Sequence, residues 1–308
     1  MSVGLSAQPI LPPSQDTLDP QLIDLARTCY DDPERFVRVA YPWQEKDTFL
    51  EYHAGPDKWQ LEFLRGIGTE VKRNAFDGHT PVMPILRAVS SGHGAGKSVV
   101  TAFLVDWIMV TRPHSQGVVT ANTQAQLDTK TWAAIRRWSR MMLWAHWFEI
   151  NTQKMYHKAF PESWFCTAQT CREENSEAFA GQHAADSTSF FIMDEDSAIP
   201  AIIHEVAEGG LTDGEPMMLR FGNPTRNNGD FFECCFGKKR DRWHPVVVDS
   251  RTSRFSNKAL IQSWEEEHGE DSDFFRVRVR GLPPRASDLQ FIDQERIWDA
   301  QKREITAF

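Results

Sequence analysis

At 308 residues, with 41% hydrophobic and 25% charged side chains, the chain has the composition of a soluble globular protein and the length for one large α/β domain with appendages or two smaller ones. Its formal net charge of −9 excludes a general electrostatic footprint for nucleic acid, so any DNA contact has to come from a local basic patch. The first residues lack the basic start and apolar core of a signal peptide, and no apolar run has the length of a membrane span. Cys29, Cys166, Cys171, Cys234 and Cys235 have no zinc-type spacing, so a soluble cytoplasmic protein with buried thiols is expected.

Residues 1–18, rich in Pro, Ser and Gln, read as a disordered tail. A helical lead-in over 19–56 follows, with helices at 20–29 and 32–39. After the turn at Gly55-Pro56, apolar residues at helical spacing predict a helix over 57–67 with Asp57 as N-cap. On it, the Gln60 amide offers the donor and acceptor needed to pair with an adenine edge; the alternative is an exposed helical Gln.

A strand over 85–90 runs into Ser91-Gly92-His93-Gly94-Ala95-Gly96-Lys97-Ser98. Small residues there let backbone N–H groups turn inward around phosphate oxygens, Lys97 can neutralise β/γ charge, and the Ser98 hydroxyl can ligate Mg²⁺. The apolar helix over 98–110 would aim its positive end at the phosphates. Ser91 stands where the usual pattern has Gly, and a plain glycine-rich turn is the alternative reading. Next come a strand at 117–121, a long Trp-rich helix over about 124–148, and a hairpin of runs near 154–160 and 163–170 across Pro161.

The apolar run Ser189–Met193 reads as a central parallel strand that delivers Asp194 and Glu195 to a ligand crevice. Asp194 there would hold Mg²⁺ through its water shell, and Glu195 would take a proton from the attacking water; plain surface charge is the alternative. A helix over 200–208 and strands at 217–222 and 245–249 follow. The second of these three elements ends in Gly222-Asn223-Pro224-Thr225-Arg226, which brings an amide and an arginine near the nucleotide or forms an ordinary Asn-Pro turn. Basic stretches occur at Lys238, Lys239, Arg240, Arg242, Arg251 and Arg254, and at Arg276, Arg278, Arg280 and Arg285; either is a DNA contact or solvated surface. The alternation of strands and helices predicts an α/β fold with a mostly parallel sheet covered on both faces, with a P-loop NTPase core over 57–256 and helices over 257–308 closing its edge.

Taken together, Trp59-Gln60, the phosphate loop, Asp194-Glu195, Gly222–Arg226 and Val279-Arg280-Gly281-Leu282-Pro283 resemble, in order and spacing, the N-terminal ATPase half of the large terminase subunit of tailed bacteriophages, over about 36–298. The resemblance implies a RecA-like P-loop fold of the additional-strand, conserved-glutamate type. The implied activity is ATP hydrolysis with Mg²⁺, driving double-stranded DNA into a procapsid in the cytoplasm of the infected host. The implied partners are the portal protein, the small terminase subunit and further copies in a ring, commonly of five, with an isolated domain monomeric. Residue by residue, it makes Gln60 the adenine reader, Ser91 to Ser98 the nucleotide loop, Ser98 and Asp194 the metal residues, Lys97 and Glu195 catalytic, and Asn223 with Thr225 the coupling element.

Many relatives carry an arginine in the phosphate loop, near His93 here. Its absence leaves Arg226 or Arg87 in cis, or Arg136, Arg137 or Arg172 in trans, to supply the transition-state cation; Arg226 is taken into the catalytic set. Full-length relatives continue into a nuclease. Asp288, Asp293 and Asp299 read as surface charge, so no nuclease activity is expected and the chain reads as the ATPase half of a larger protein. A helicase-like or repair translocase, a nucleotide-dependent assembly switch and a nucleoside kinase remain as alternatives.

Overall fold

In the computed structural model, which describes residues 20–180 and 183–285, the apolar runs of the sequence assemble into one eight-stranded sheet in the order β3-β4-β5-β2-β6-β7-β1-β8. In chain order, helices α1 (Pro20–Thr28), α2 (Pro33–Ala40) and α3 (Lys58–Asn74) precede β1 (Ile85–Ser91), and α4 (Lys97–Thr111) leads to β2 (Gln116–Ala121). Short α5 (Gln124–Gln126) and α6 (Trp132–Ser139) flank a π-helical turn at Leu127–Thr131, followed by β3 (Phe148–Ile150), β4 (Lys154–His157) and β5 (Phe165–Ala168). Then come β6 (Ser189–Asp194), α7 (Ala201–Gly209), β7 (Met217–Gly222), α8 (Asp230–Cys235), α9 (Arg240–Trp243) and β8 (Val246–Val248). Helices α10 (Lys258–His268) and α11 (Asp273–Phe275) lead to a second π-helical turn, Arg276–Arg280.

Strands β5, β2, β6, β7, β1 and β8 are mutually parallel, and only β3 and β4 join antiparallel at one edge. The period-two alternation of a strand divides the core between two faces. Phe190 and Ile192 of β6, Met217, Leu219 and Phe221 of β7, and Ile85 and Val89 of β1 pack toward α1 to α4 and α6. Phe191, Met193, Met218, Leu86 and Ala88 face α7, α8 and Trp243. Helix α4 is apolar around nearly its whole circumference and buried from Val100 to Thr111, as expected of a helix enclosed by its own domain.

The predicted helix over 124–148 is a correction. It is interrupted by the π-helical turn at 127–131, ends at Ser139, and gives way to a third edge strand, β3, that periodicity does not reveal. Tryptophans that suit an amphipathic helix instead peg separate segments: Trp132 Nε1 donates to the Asn151 carbonyl at 2.9 Å and Trp144 Nε1 to that of Leu22 at 3.0 Å. The helix predicted over 57–67 runs on to Asn74, where Ala75 in the left-handed conformation ends it. Residues 1–18, Asp288, Asp293 and Asp299 lie outside the described residues.

Candidate nucleotide site

Strands β6, β7 and β1 lie side by side, so their C-terminal ends bring Asp194-Glu195, Asn223 and the phosphate loop to one edge of the sheet. Gly94 and Gly96, with φ of +72° and +88°, supply the left-handed backbone that turns the loop into α4. Lys97 Nζ donates to Ser91 Oγ at 3.1 Å and to Asn223 Oδ1 at 3.0 Å, while Asn223 Nδ2 donates to the Ser91 carbonyl at 2.6 Å. Burial lowers the Lys97 pKa, against the opposing pull of Glu195 and Asp194.

Asp194 is 4% exposed, and burial raises its carboxyl pKa, countered chiefly by the Thr131 hydroxyl and Lys97. Thr131 Oγ1 donates to Asp194 Oδ2 at 2.6 Å, and the Glu195 N–H to Oδ1 at 3.0 Å. Thr131 closes the π-helical turn, the kind of widened turn that often marks functional positions; nothing in the sequence singles it out. The Ser98 hydroxyl makes no hydrogen bond among the described residues, and no group of three or more His, Cys, Asp or Glu there forms a metal cage. One hydroxyl and one carboxylate suit Mg²⁺, which keeps most of its water and takes few protein oxygens.

Gln60 is fully buried, which excludes the exposed reading. Its Oε1 accepts from the Asp57 N–H at 2.8 Å, its Nε2 donates to the Gly96 carbonyl at 3.2 Å, and Trp59 Nε1 donates to the Ala95 carbonyl at 3.0 Å. The pair thus anchors the phosphate loop to the start of α3, and both ends of the amide are engaged by backbone rather than held free for a base edge. Gln60 and Gly96 also line a cavity of about 270 Å³ walled by Phe49, His53, Phe103, Arg137 and Phe255. Its walls come from four separate segments, which is why the sequence does not reveal them.

The arginines divide. Arg87 is not available to a nucleotide: it points toward α3, where it pairs with Glu70 at 2.7 Å and lies over Phe63. Arg172, Arg226 and Arg137 are exposed, Arg137 lies over the Phe49 ring, and Arg136 is half-buried on α6. Thr225 and Ser197 hydroxyls bond at 3.1 Å, linking the Gly222–Arg226 loop to the turn after Glu195.

The segment 276–281 seats on the phosphate loop rather than merely closing a sheet edge. His93 N–H donates to the Arg278 carbonyl at 2.7 Å, Ser250 N–H to that of Val279 at 2.8 Å, and Ser90 Oγ to that of Gly281 at 2.8 Å. A Cβ at Gly92 would lie 2.3 Å from the Val279 carbonyl oxygen, so only glycine permits this approach. Arg278 reaches to 3.5 Å from His93 Nε2; burial, then Lys97, Arg278 and Lys130, lower the His93 pKa to about 4. Much of the basic stretches is neutralised locally, with Lys239 on Asp230, Arg251 on Asp249 and Glu270, and Arg280 and Arg285 on Asp271. All five cysteines are free and buried, and no described helix is long and apolar enough to cross a membrane.

No family model matches the sequence. The probable terminase large subunit of Enterobacteria phage P7 is 24% identical over 230 residues, 71% of this chain and 46% of its own length; the chain thus spans about half of that relative. The large terminase of bacteriophage HK97 superposes with a TM-score of 0.56 at 13% identity, over 82% of this chain and 55% of its own. The large terminase of a thermophilic bacteriophage, in complex with ADP, gives 0.51 at 14%, over 64% and 48%. The large terminase ATPase domain of Thermus phage P74-26 gives 0.50 at 15%, over 74% and 93%. The chain is thus similar in sequence to a probable phage large terminase subunit, and its fold is that of phage large terminases, one of them an isolated ATPase domain.

Proposed function

We propose that the chain is the ATP-hydrolysing motor domain of a terminase large subunit, which drives double-stranded DNA into a procapsid in the host cytoplasm with the portal protein, the small subunit and a ring of its own copies. The observation that carries this reading is the Lys97 ammonium shared between the phosphate loop and Asn223, next to Asp194-Glu195. Arriving phosphate oxygens compete with Asn223 for Lys97, so nucleotide occupancy is felt directly by the Gly222–Arg226 loop and, through Thr225 and Ser197, by the turn that follows Glu195.

Glu195 takes the proton of the attacking water and Lys97 holds the phosphoryl oxygens. Arg226, exposed on the coupling loop, is assigned the remaining transition-state cation. Ser98 and Asp194 would hold Mg²⁺, which would supply charge neutralisation for the bound phosphates. The aromatic cavity beside Gly96 takes the base, with Gln60 fixing the loop against it.

The test is steady-state ATP hydrolysis with Mg²⁺, with and without long duplex DNA, on the chain and on Glu195→Gln and Lys97→Ala. Loss of a general base costs about 10²- to 10⁴-fold, so Glu195→Gln should bind ATP yet scarcely turn it over, and duplex should stimulate the unmodified chain. Hydrolysis indifferent to Glu195→Gln would overturn the assignment. Binding without turnover by the unmodified chain would favour an assembly switch.

A further inference from the structure

Beneath the ends of β6 and β7 lies a buried charge cluster that the chemistry above does not use. Arg220, on β7, and the Asp196 side chain are wholly buried, and His204 of α7 is nearly so. Arg220 Nε donates to Asp196 Oδ2 at 2.6 Å and its Nη1 to Asp230 Oδ2 at 2.6 Å. His204 Nε2 lies 2.7 Å from Asp196 Oδ1 and 2.9 Å from Arg220 Nη2. The guanidinium sits over the Trp243 ring, and Lys239 pairs with Asp230. Two carboxylates, Asp196 and Asp230, thus face two cations, Arg220 and Lys239.

Burying such charges adds little net stability, because desolvation offsets their attraction; what the arrangement provides is direction. Asp196 follows Glu195 immediately, and Glu195 holds a left-handed backbone, φ +53° and ψ 41°, that non-glycine residues rarely adopt. On its N-terminal side the Glu195 N–H is bound by Asp194 Oδ1. On its C-terminal side both oxygens of Asp196 are clamped. Arg220 also pairs in register with Met193 and stands three residues before Asn223 on the same chain run, so one guanidinium ties the Glu195 turn to the strand that contacts Lys97.

We propose that Asp196, Arg220 and His204 are positioning residues that hold the strained turn at Glu195 and thereby aim its carboxylate, an inference that rests on the ATPase reading. They act through Glu195 and do not touch the nucleotide. A misplacement of about 1 Å costs on the order of 10²-fold in rate while leaving the binding loop intact.

The experiment is single-turnover ATP hydrolysis with enzyme in excess, beside equilibrium binding of a fluorescent ATP analogue, on the unmodified chain and on Asp196→Asn, His204→Ala and His204→Gln. Asp196→Asn and His204→Ala should slow hydrolysis about 10- to 100-fold with affinity changed less than about threefold. His204→Gln, whose amide N–H reaches the same carboxylate, should restore the rate to within about threefold. Unchanged rates in the first two, affinity lost in proportion to rate, or a His204→Gln as slow as His204→Ala each overturn the inference. If Asp196→Asn does not fold, the His204 pair decides. Absence of hydrolysis by the unmodified chain sinks the ATPase reading and this inference with it, whereas normal hydrolysis in all variants sinks the inference alone.

Discussion

Asp106, midway along α4, is fully buried; Tyr41 Oη donates to its Oδ2 at 2.7 Å and Ser139 Oγ to its Oδ1 at 2.6 Å. Burial raises its carboxyl pKa from 3.8 to about 7, and the two hydroxyls only partly counter it. Between those values the folded state binds a proton that the unfolded chain has released, so this residue's contribution to stability declines as pH rises through the window. A shift of roughly three units at about 1.4 kcal/mol each amounts to about 4 kcal/mol, fully lost above the folded pKa. Asp106→Asn removes the titration while keeping shape, and Ser139 Oγ, which also donates to the Ile135 carbonyl at 2.8 Å, can accept from the amide. Urea unfolding followed by tryptophan fluorescence should show Asp106→Asn near parity with the unmodified chain at about pH 4 and more stable by up to about 4 kcal/mol at about pH 8. Other titrating groups cancel in the difference. A difference that stays flat over that range, or narrows with rising pH, would refute the argument.

Gly92→Ala should push the segment 276–281 off the phosphate loop, read as faster proteolysis after Arg276, Arg278 or Arg280 and weaker nucleotide binding, because its Cβ would collide with the Val279 carbonyl and overpacking of this kind costs about 1 to 3 kcal/mol. Thr131→Val removes a donor from buried Asp194, whose pKa burial already raises; the acid limb of the hydrolysis pH profile should therefore move to higher pH, with stability lower by about 1 to 3 kcal/mol. Arg87→Ala breaks a largely buried ion pair with Glu70 and should cost about 3 to 5 kcal/mol in denaturant titration. Its rate per folded molecule should match that of the unmodified chain; a specific loss of rate would return Arg87 to the arginine candidates.

The phosphate loop, the β6 acids and the alternation of elements are legible in the chain because each is a local pattern. Small residues before Lys97-Ser98 and a doubly apolar strand ending in Asp194 are properties of neighbours in sequence, and the physics that makes a loop or a buried strand acts over the same few residues. The helix over 124–148 misleads for the opposite reason. Its apolar spacing is satisfied equally by separate segments whose tryptophans reach distant carbonyls, and Thr131 becomes significant only because β6 ends beside it. Likewise, Gln60 shows its amide from the first, but its two partners are set by how α3 meets the Gly96 turn. The aromatic cavity, the Arg220 cluster and the seating of 276–281 on Gly92 join residues far apart along the chain. Local sequence patterns therefore mark the residues proposed to carry the chemistry and the strand and loop that hold them, whereas the partners that orient those groups come from contacts between distant segments, formed only when the sheet closes.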